Sequence, residues 1–491
     1  MTEERSEKLN RKVTWPQWIA AFGVLLLVAQ VGSLGAWSSP YISQLTSPES
    51  PFPVTMSEIS WVVSLLNLGR PIGAIGGAVG INYLGSKTAI LISCMPLALC
   101  WLFIIICNSV EWLYVARIFG GVSVGMIYSC YSLYLGEIAD PSIRGALISL
   151  GTSGIPIGNL AMSIMGAYLP MKITAAISLV FCLVLVLLFF YLPESPHYLI
   201  KKNSDEKAKS SILWYHRDCD VESEFIALRK FIENVGKQQL STILEELRTI
   251  QFRKSMFIGA MLITYNQLAG INSILFYMES ILISAKVTVM QPAQVVIIVM
   301  AFGIVGSALS LFLMDKCGRK ILMIASCIGV VLSMCLLTVE FHLLSFGYDP
   351  KSVEALSIVG MCAFYVTVFI GILSVPLTMM GEIFAPHVKC IAVSIMSILA
   401  GVISFLVSAT YLPLLNVFSE HYLFLFYAIL LATAVPFTIF YIPETKGLSL
   451  QEIQNKLVKK KPQEWNTNCR NNKEKIPCEQ IKGLYVISGN T

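Results

Sequence analysis

Twelve long apolar stretches constrain the fold of this chain more than any other feature of its sequence. A helix crosses the hydrocarbon core of a bilayer with about 20 mostly apolar residues, and each stretch reaches that length. Hydrophobic residues make up 55% of the 491 positions and charged residues only 13%, which excludes an ordinary soluble protein. We therefore predict an all-α membrane protein with twelve transmembrane helices. The predicted spans lie at about 16–37, 59–81, 88–107, 112–135, 146–169, 173–192, 255–281, 292–314, 321–343, 354–380, 391–413 and 422–442.

The positive charges fall on one side of this arrangement. Clusters of Lys and Arg precede the first span and follow the sixth and the twelfth, whereas the opposite loops offer only Lys172, Lys286 and Lys351. Cytoplasmic loops carry the excess of Lys and Arg, so we expect both termini to be cytoplasmic in a multi-pass protein of the cell membrane. The net charge of +5 then reflects topology and indicates no nucleic-acid partner. The first outer segment, 38–60, is rich in Pro and Ser and is predicted to be a loop.

The cysteines and acidic residues form no catalytic or metal-binding pattern. Most of the 13 cysteines fall inside the apolar stretches or on the cytoplasmic side, where a free cysteine behaves as a small hydrophobe. Metal-ligand spacing, paired carboxylates and a nucleophile constellation are absent from the sequence, and Gly85-Ser86-Lys87-Thr88 lacks the glycines of a phosphate loop. We therefore predict no enzyme activity, no metal and no cofactor.

Three short motifs recur in the same order in the two halves of the chain. The pairs are Gly85-Ser86-Lys87 with Gly318-Arg319-Lys320, Gly136-Glu137-Ile138 with Gly381-Glu382-Ile383, and Pro193-Glu194 with Pro443-Glu444. Each motif follows the corresponding span, which indicates a duplicated six-span unit. An even number of spans makes the repeats parallel, and transporters built in this way place the substrate site near the bilayer midplane, where the repeats meet.

The repeat divides the chain into five parts. Amphipathic patterns at Val221–Val235 and Leu240–Ile250 predict helices on the cytoplasmic face instead of a catalytic domain. The parts are a cytoplasmic N-terminus (1–15), an N-terminal six-helix half (16–192), cytoplasmic linker helices (193–254), a C-terminal six-helix half (255–442) and a cytoplasmic tail (443–491).

The seventh span carries polar side chains that are costly in hydrocarbon. Asn266, Gln267 and Asn272 must each face protein or a water-filled cavity. At helical spacing Asn266, Gly270, Ser273 and Tyr277 share one stripe, which carries amide and hydroxyl groups but no charge. Such a stripe suits a neutral, hydroxyl-rich ligand, and it equally suits polar contacts between helices. The pattern alone leaves both interpretations open.

Several motifs resemble the sugar porter family of the major facilitator superfamily. The resemblance extends from about residue 15 to residue 455, and its Gly35-to-Pro40 and Met379-to-Ile383 segments look most like insect facilitated trehalose transporters. It implies the major facilitator fold and a small-molecule sugar substrate carried across the bilayer. The motifs that carry it best are Pro443-Glu444-Thr445-Lys446-Gly447, Pro193-Glu194-Ser195-Pro196 and Gln267-x-x-Gly270-Ile271-Asn272.

The resemblance also implies a sugar site. Gln267 and Asn272 match family residues that hydrogen-bond the sugar hydroxyls, and Asn266 and Thr152 stand where the family usually has Gln. We add Tyr277 from the polar stripe to these substrate-binding candidates. The chain departs from the family pattern at Leu377, which replaces a Trp, and at Ala400 and Gly401, which replace Asn-Trp.

The resemblance further implies a gating network, in which acidic and basic residues at the cytoplasmic ends form salt bridges between the halves and close the inner gate. Asn82 and Ser86 depart from this pattern, so the first half should contribute the weaker part. Arg117 matches a family arginine near the outer end of the fourth span, and Arg70 has no recognised counterpart. The network residues are Glu137, Arg144, Glu194, Asp315, Arg319, Glu382, Lys389 and Glu444.

From these residues we expect facilitative uniport of a neutral sugar, such as trehalose or a hexose, by alternating access. Proton-coupled relatives use an Asp in the first span, and 16–37 has no Asp, Glu or His here. Glu340 with His342 is the one pair that challenges this expectation. The alternatives are a sugar-porter-like receptor or sensor that does not transport, and a proton-coupled symporter. The oligomeric state is not predicted.

Overall fold

The computed structural model describes residues 14–46, 52–140, 142–217, 219–236, 246–384, 386–446, 448, 452–453 and 456. Nearly all of this part is helical, as the apolar stretches predict. In chain order the helices are α1 (Trp15–Ala36), α2 (Ser38–Thr46), α3 (Met56–Leu84), α4 (Ser86–Ile105), α5 (Val110–Ile138), α6 (Arg144–Thr152), α7 (Gly154–Tyr168), α8 (Met171–Tyr191), α9 (Pro196–Lys201), α10 (Asp205–Tyr215), α11 (Val221–Gly236), α12 (Ile250–Leu268), α13 (Ile271–Ser284), α14 (Pro292–Cys317), α15 (Arg319–Ser345), α16 (Pro350–Thr367), α17 (Ser374–Glu382), α18 (Pro386–Val417), α19 (Glu420–Ala432) and α20 (Ala434–Tyr441).

The spans agree with the prediction except at the seventh. In the described part, 11 helical segments are long and apolar enough to cross a membrane. The seventh span is not among them; Ala269 and Gly270 divide it into two helices, α12 and α13. Together α12 and α13 complete the twelve-span arrangement of an all-α membrane protein.

The segment after the first span is helical, so the prediction of a loop over 38–60 was wrong for its first part. Helix α2 follows α1 almost directly and buries Ser38, Ser39 and Tyr41. The hydroxyl of Tyr41 donates to Thr174 Oγ1 at 2.6 Å and so attaches α2 to α8. Pro40 does not prevent this helix, because a proline in the first turn interrupts no intrahelical hydrogen bond.

Within the N-terminal half, small residues bring neighbouring helices into backbone contact. A Cβ on Gly73 would lie 2.0 Å from Val122 O, and one on Gly158 would lie 1.8 Å from Ala29 O. The first contact joins α3 to α5, and the second joins α7 to α1. Such close approach is how helices pack in a membrane, where burial of apolar side chains gives no advantage over lipid.

We call α1–α8 the N-terminal half and α12–α20 the C-terminal half. The most extensive contacts between the halves are made by three pairs of helices: α3 with α18, α7 with α14, and α2 with α13. This places the broken seventh span beside the end of the first span. The interface between the halves is the position that the repeat predicts for a substrate site.

The three linker helices, α9, α10 and α11, pack together at one end of the bundle. We call this end the linker face. Ile200, Ala208, Ile212 and Phe225 form a small separate core between them. Gln17 attaches them to the first span, since its Nε2 donates to Tyr215 O at 3.1 Å. The amphipathic helix predicted at Val221–Val235 is confirmed as α11, whereas most of the predicted Leu240–Ile250 helix lies outside the described residues. The other end of the bundle is the opposite face.

Candidate functional site

The seventh span is interrupted at Gly270. This residue has φ +72°, a left-handed conformation that a side chain disfavours, and α13 begins immediately after it. The stripe predicted from Asn266 to Tyr277 is therefore not one face of a continuous helix. Ser273 turns instead towards the twelfth span, where its Oγ lies 3.3 Å from the hydroxyl of Tyr427.

The break brings three carboxamides into one hydrogen-bonded series, which we call the amide chain (Asn266, Gln267 and Asn272). Gln267 Nε2 donates to Asn266 Oδ1 at 2.8 Å, and Asn272 Nδ2 donates to Gln267 Oε1 at 2.9 Å. Asn266 and Gln267 are buried and Asn272 is half-buried. The prediction that these side chains face protein or a cavity at membrane depth agrees with this arrangement.

The tenth span anchors one end of the amide chain. Asn266 Nδ2 donates to the carbonyl of Ile372 at 2.8 Å. That carbonyl lies in a π-helical turn, Val368–Ile372, where the wider backbone spacing frees carbonyl groups from the usual α-helical pairing. Ser326 Oγ accepts from the N–H of Ile372 at 2.9 Å and ties the turn to α15.

The eleventh span holds the other end, through a residue that the sequence interpretation missed. Asn272 Nδ2 donates to Ser404 Oγ at 2.6 Å. One turn later Ser408 accepts from Asn67 Nδ2 of α3 at 3.2 Å, across the interface between the halves. The spacing of Ser404 and Ser408 by four residues is the available signal, because it puts both hydroxyls on one face of α18.

A carboxamide offers an acceptor oxygen and two donor hydrogens. In the described part of the chain, the carbonyl oxygen of Asn272 accepts no protein hydrogen bond, and one N–H of Gln267 donates none. Both groups are uncharged and belong to side chains that are hydrogen-bonded to each other. They are the atoms of the amide chain that suit a ligand hydroxyl.

Among the described residues, the two remaining substrate candidates make no hydrogen bond with the amide chain. Thr152 ends α6 in the N-terminal half, and its Oγ1 donates to Ile148 O at 3.0 Å and lies 3.3 Å from the hydroxyl of Tyr131. Tyr277 stacks on Tyr411 with ring centroids 4.8 Å apart and is almost completely buried. The structure thus brings Asn266, Gln267 and Asn272 together and leaves Thr152 and Tyr277 in separate contacts.

The family-pattern departures in the eleventh span coincide with a close contact between the halves. A Cβ on Gly401 would lie 2.6 Å from Cδ of Pro71 in α3, so a larger residue does not fit in this arrangement. Ala400 beside it is buried, whereas Leu377 of α17 is 39% exposed. The small residues at 400 and 401 therefore permit α18 to approach α3.

Hydrogen bonds close the opposite face between the halves. Ser43 Oγ of α2 donates to Glu279 Oε1 of α13 at 3.2 Å, and the N–H of Glu279 donates to Ser39 Oγ at 3.1 Å. Ser60 Oγ adds a bond to the carbonyl of Ala409 at 3.2 Å. No signal in the sequence singled out Glu279, because its partners lie about 240 residues away in the chain.

In the C-terminal half, the predicted network residues bond to one another. Arg319 Nη2 lies 2.9 Å from Glu382 Oε1, and Thr445 Oγ1 donates to the second oxygen of Glu382 at 2.6 Å. Glu444 accepts from the backbone N–H groups of Arg319 and Lys320 at 3.0 and 3.1 Å. Glu444 is therefore a side-chain cap on the first turn of α15.

The N-terminal half repeats this arrangement. Glu194 accepts from the backbone N–H groups of Lys87 and Thr88 at 2.8 and 3.0 Å, which caps α4 in the same way. Ser86 stands where the second half has Arg319, and its Oγ donates to Glu137 at 2.7 Å. A hydrogen bond from an uncharged hydroxyl thus replaces the salt bridge.

The other network residues are Arg144, Asp315 and Lys389. Arg144 Nη2 lies 3.5 Å from the carbonyl of Ala139, and the side chain of Asp315 lies outside the described part. Lys389 Nζ approaches Gly381, 3.6 Å from where a Cβ would stand. The contacts of Glu137, Glu194, Arg319, Glu382 and Glu444 given above all lie within one half. Pairing between the halves stays a prediction for another conformation.

The two intramembrane arginines make protein contacts. Arg117 donates to the carbonyl of Leu34 at 2.9 Å and to Ser38, and its guanidinium lies 4.2 Å from the ring centroid of Trp37. It therefore holds the junction between α1 and α2. Arg70 donates to Asn67 Oδ1 at 3.3 Å and so extends the polar contacts of α18 and α3.

Among the described residues, no group of three or more His, Cys, Asp or Glu could hold a metal ion.

Residues 18–457 match the family model described as "Sugar (and other) transporter". The chain is 28% identical over 467 residues to the facilitated trehalose transporter Tret1 of Drosophila mojavensis and 29% identical to that of Anopheles gambiae. These matches cover 93% of the chain but only 54% and 59% of the relatives, so the chain spans little more than half their length. It is 30% identical to sugar transporter ERD6-like 6 of Arabidopsis thaliana, covering 89% of the chain and 90% of that relative.

Solved structures share the fold. The xylose symporter XylE bound to 6-bromo-6-deoxy-D-glucose superposes with a TM-score of 0.73 at 19% identity, covering 90% of this chain and 99% of that one. The inward open conformation of XylE from E. coli gives a TM-score of 0.71 at 20% identity, covering 89% and 98%. The fold is therefore that of the major facilitator superfamily, as predicted.

Proposed function

The chain belongs to the sugar transporter family, and on this premise we propose that it carries a neutral sugar across the cell membrane by facilitated uniport. The observation that supports this most directly is the uncharged amide chain beside the break of the seventh span. The free carbonyl of Asn272 and the free N–H of Gln267 suit a sugar hydroxyl, which both donates and accepts hydrogen bonds.

Trehalose is the substrate that we propose first, with a hexose as the alternative. The relatives named as facilitated trehalose transporters, at 28% and 29% identity over 93% of the chain, support this choice. Their names describe those proteins, and their matched part is little more than half their length. A panel of sugars is therefore the appropriate measurement.

The distribution of acidic residues supports uniport. Helix α1 contains no Asp, Glu or His, and among the described residues the amide chain has no carboxylate as a hydrogen-bond partner. Glu340 is fully buried in α15 and bonds to Ser357 of α16, outside the amide chain. His342 next to it packs against Phe346 and His421. The pair that challenged the uniport prediction thus has partners of its own.

Transport by alternating access requires the halves to rock about this site. The described conformation is closed at the opposite face through Ser39, Ser43, Ser60 and Glu279. We propose that opening this face breaks those bonds and that the network residues at the linker face then pair between the halves. By the positive-inside rule the linker face, and with it both termini, is cytoplasmic.

The test is uptake of radiolabelled trehalose, glucose and related sugars by proteoliposomes that contain the purified full chain. We expect saturable uptake that stops at the external concentration and is unchanged by a protonophore or by a pH gradient. Accumulation above the external concentration that collapses with the protonophore would contradict uniport. Sugar binding without uptake would instead favour a receptor or sensor.

Gln267→Ala tests the site itself. The variant removes one ligand group and leaves Asn266 Oδ1 without its donor and one N–H of Asn272 without its acceptor. An unsatisfied buried polar group costs about 1–3 kcal/mol. We expect uptake to fall about tenfold at equal protein abundance, since about 1.4 kcal/mol corresponds to a factor of ten. Gln251→Ala, at the exposed start of α12, is the control. Full uptake by the Gln267 variant would remove the amide chain from the proposed site.

A further inference from the structure

A cavity of about 490 Å³ opens at the linker face, away from the amide chain. Asn82 and Tyr83 at the end of α3 form one wall. Lys201, the last residue of α9, and Lys202 directly after it form the other. We call it the lysine cavity. None of its four lining residues takes part in the proposed sugar site or in the gating network.

Tyr198 of α9 holds the two walls together. Its hydroxyl donates to the carbonyl of Tyr83 at 2.6 Å. Its ring also packs over Gly85, because a Cβ there would lie 2.8 Å from Cδ1 of Tyr198. The linker helix that carries Lys201 is therefore attached to the end of the second span, and the lysine stems start from a defined position.

The lysine cavity is positively charged. Neither ammonium group is ion-paired with a carboxylate in the part of the chain that the structure describes. Lys202 Nζ lies 6.0 Å from the ring centroid of Tyr198, an attraction that leaves its N–H groups free. The carboxylate of Glu137 interacts electrostatically with Lys201, but it bonds to Ser86 and does not line the cavity. Asn82 contributes an amide where an acidic residue would cancel one charge.

A row of exposed apolar side chains lies along α3, the second span, and ends at this cavity. Ile72, Ile75, Val79 and Tyr83 are 58%, 53%, 51% and 69% exposed. Their spacing of three and four residues places them on one face of α3. A molecule with an anionic end and a long apolar body would place its anionic end in the cavity and its apolar body along this row.

We propose that the lysine cavity binds the phosphate of an anionic phospholipid, with an acyl chain along the row of Ile72, Ile75 and Val79. Two ammonium groups suit a phosphate, because charge-assisted hydrogen bonds are the stronger ones. The end of a span also lies at the depth of the lipid headgroups, where basic residues attract anionic lipid. A free phosphate ion would make the same contacts with the ammonium groups, but it has no apolar part to contact the row. The proposal holds for any sugar and for either energy coupling.

The test measures lipid retention by the purified full chain. The protein is incorporated into nanodiscs of phosphatidylcholine with a minor fraction of phosphatidylinositol 4-phosphate, extracted with mild detergent and weighed by native mass spectrometry. The double variant Lys201→Gln, Lys202→Gln is expected to retain about tenfold less anionic lipid than the unchanged protein, as the loss of a charge-assisted bond implies. The matched control replaces Lys207 and Lys230, which are exposed on α10 and α11, with Gln.

Two further arms identify the source of the phosphate. Inorganic phosphate and soluble inositol bisphosphate are added as competitors at the concentration of the lipid, and Val79→Ser shortens the apolar row. We expect little displacement by either competitor and weaker retention in the Val79 variant. Equal retention by the Lys201–Lys202 variant and the Lys207–Lys230 variant would overturn the site. Complete displacement by the soluble phosphates, with no effect of Val79→Ser, would overturn the lipid assignment.

Discussion

Two glutamates, Glu194 and Glu444, have the same role in the two halves. Each follows the last span of its half and returns to accept the first backbone N–H groups of an earlier span, at Lys87 in one case and Arg319 in the other. Unpaired N–H groups at a helix start are costly away from water, and a carboxylate also favours the positive end of the helix dipole. The duplicated Pro-Glu motif is thus explained by helix capping inside each half.

Replacing Glu444 by Gln is therefore expected to destabilise the protein. Its carboxylate accepts backbone N–H groups from Thr445 and Lys446 as well as from Arg319 and Lys320. Losing the charge that these donors face should cost about 1–3 kcal/mol. Apparent melting temperature in detergent is the measurement, and Glu233→Gln on the exposed side of α11 is the control. Equal melting of the two variants would contradict the cap.

The pH dependence of this cap has a definite sign. Burial alone would raise the pKa of Glu444, but its four backbone N–H donors outweigh this and lower the pKa below the ordinary 4.5. The native carboxylate contributes stability above pH 4.5, and this contribution is lost as the pH falls through the lowered pKa. The Glu444→Gln variant should therefore lose less stability on acidification than the unchanged protein.

His197 of α9 gives a second pH-dependent contribution. Burial, and then the nearby charges of Arg144 and His216, lower its pKa from 6.5 to about 4 despite a hydrogen bond to the backbone of Glu137. The native ring stays neutral while the unfolded chain binds a proton below pH 6.5, so stability falls as the pH decreases from 6.5 to 4. His197→Gln should therefore weaken the dependence of the melting temperature on pH over this range. An unchanged slope in the His197 variant would refute this assignment.

At the scale of the elements, the break in the seventh span decides where the polar groups point. A continuous helix would place Ser273 and Tyr277 on the stripe of Asn266. The left-handed Gly270 instead sends Ser273 to Tyr427 and keeps Asn272 beside Gln267 and Ser404. A π-helical turn in the tenth span supplies the carbonyl that receives Asn266. Two local irregularities in neighbouring spans thus build the candidate site.

Gly270→Ala tests the importance of the break. The left-handed conformation costs an L-residue about 1–2 kcal/mol, and a Cβ would also lie 3.2 Å from the ring of Tyr427. We expect a lower melting temperature and reduced sugar uptake. Gly136→Ala is the matched control, because that glycine is helical and a Cβ there meets nothing within 4 Å. Alanine tolerated equally at both positions would show that the break is not required.

At the scale of the molecule, the halves are closed against each other at the opposite face. Glu279 is the acidic residue in that closure, since both its carboxylate and its N–H bond to α2. Its partners Ser39 and Ser43 belong to the helical extension of the first span. The sealing of this face and the packing of the seventh span against the first are therefore one structural feature.

Removing the carboxylate should shift the conformational equilibrium towards opening of this face. An intramolecular hydrogen bond contributes about 0.5–1.5 kcal/mol, so Glu279→Ala should raise accessibility several-fold. The measurement is the labelling rate of a cysteine introduced at the buried Ile42 with a membrane-impermeant maleimide, relative to the protein without it. Glu111→Ala removes an exposed carboxylate at the start of α5 and serves as control. Equal rates for the two variants would contradict the gating role.

Composition and spacing along the chain were enough to predict the spans, the two halves and the polar residues of the seventh span. Apolar length predicts the spans because a bilayer demands it, and the duplicated motifs predict two halves. The same local logic predicts the amphipathic helix at Val221–Val235 and singles out Asn266, Gln267 and Asn272, since amides at membrane depth must have partners. The residues of the amide chain were thus identifiable before their contacts were known.

The partners of those residues depend on how the helices pack against one another. Glycine and serine carry little signal by themselves, so neither the close approach of Gly401 to Pro71 nor the bond of Ser404 to Asn272 was predictable. The helical continuation at Ser38 and the closure through Glu279 likewise depend on helices distant in the chain. Propensity and periodicity act over a few residues, whereas these contacts are selected by how twelve helices pack, and that packing sets which polar atoms remain for a ligand.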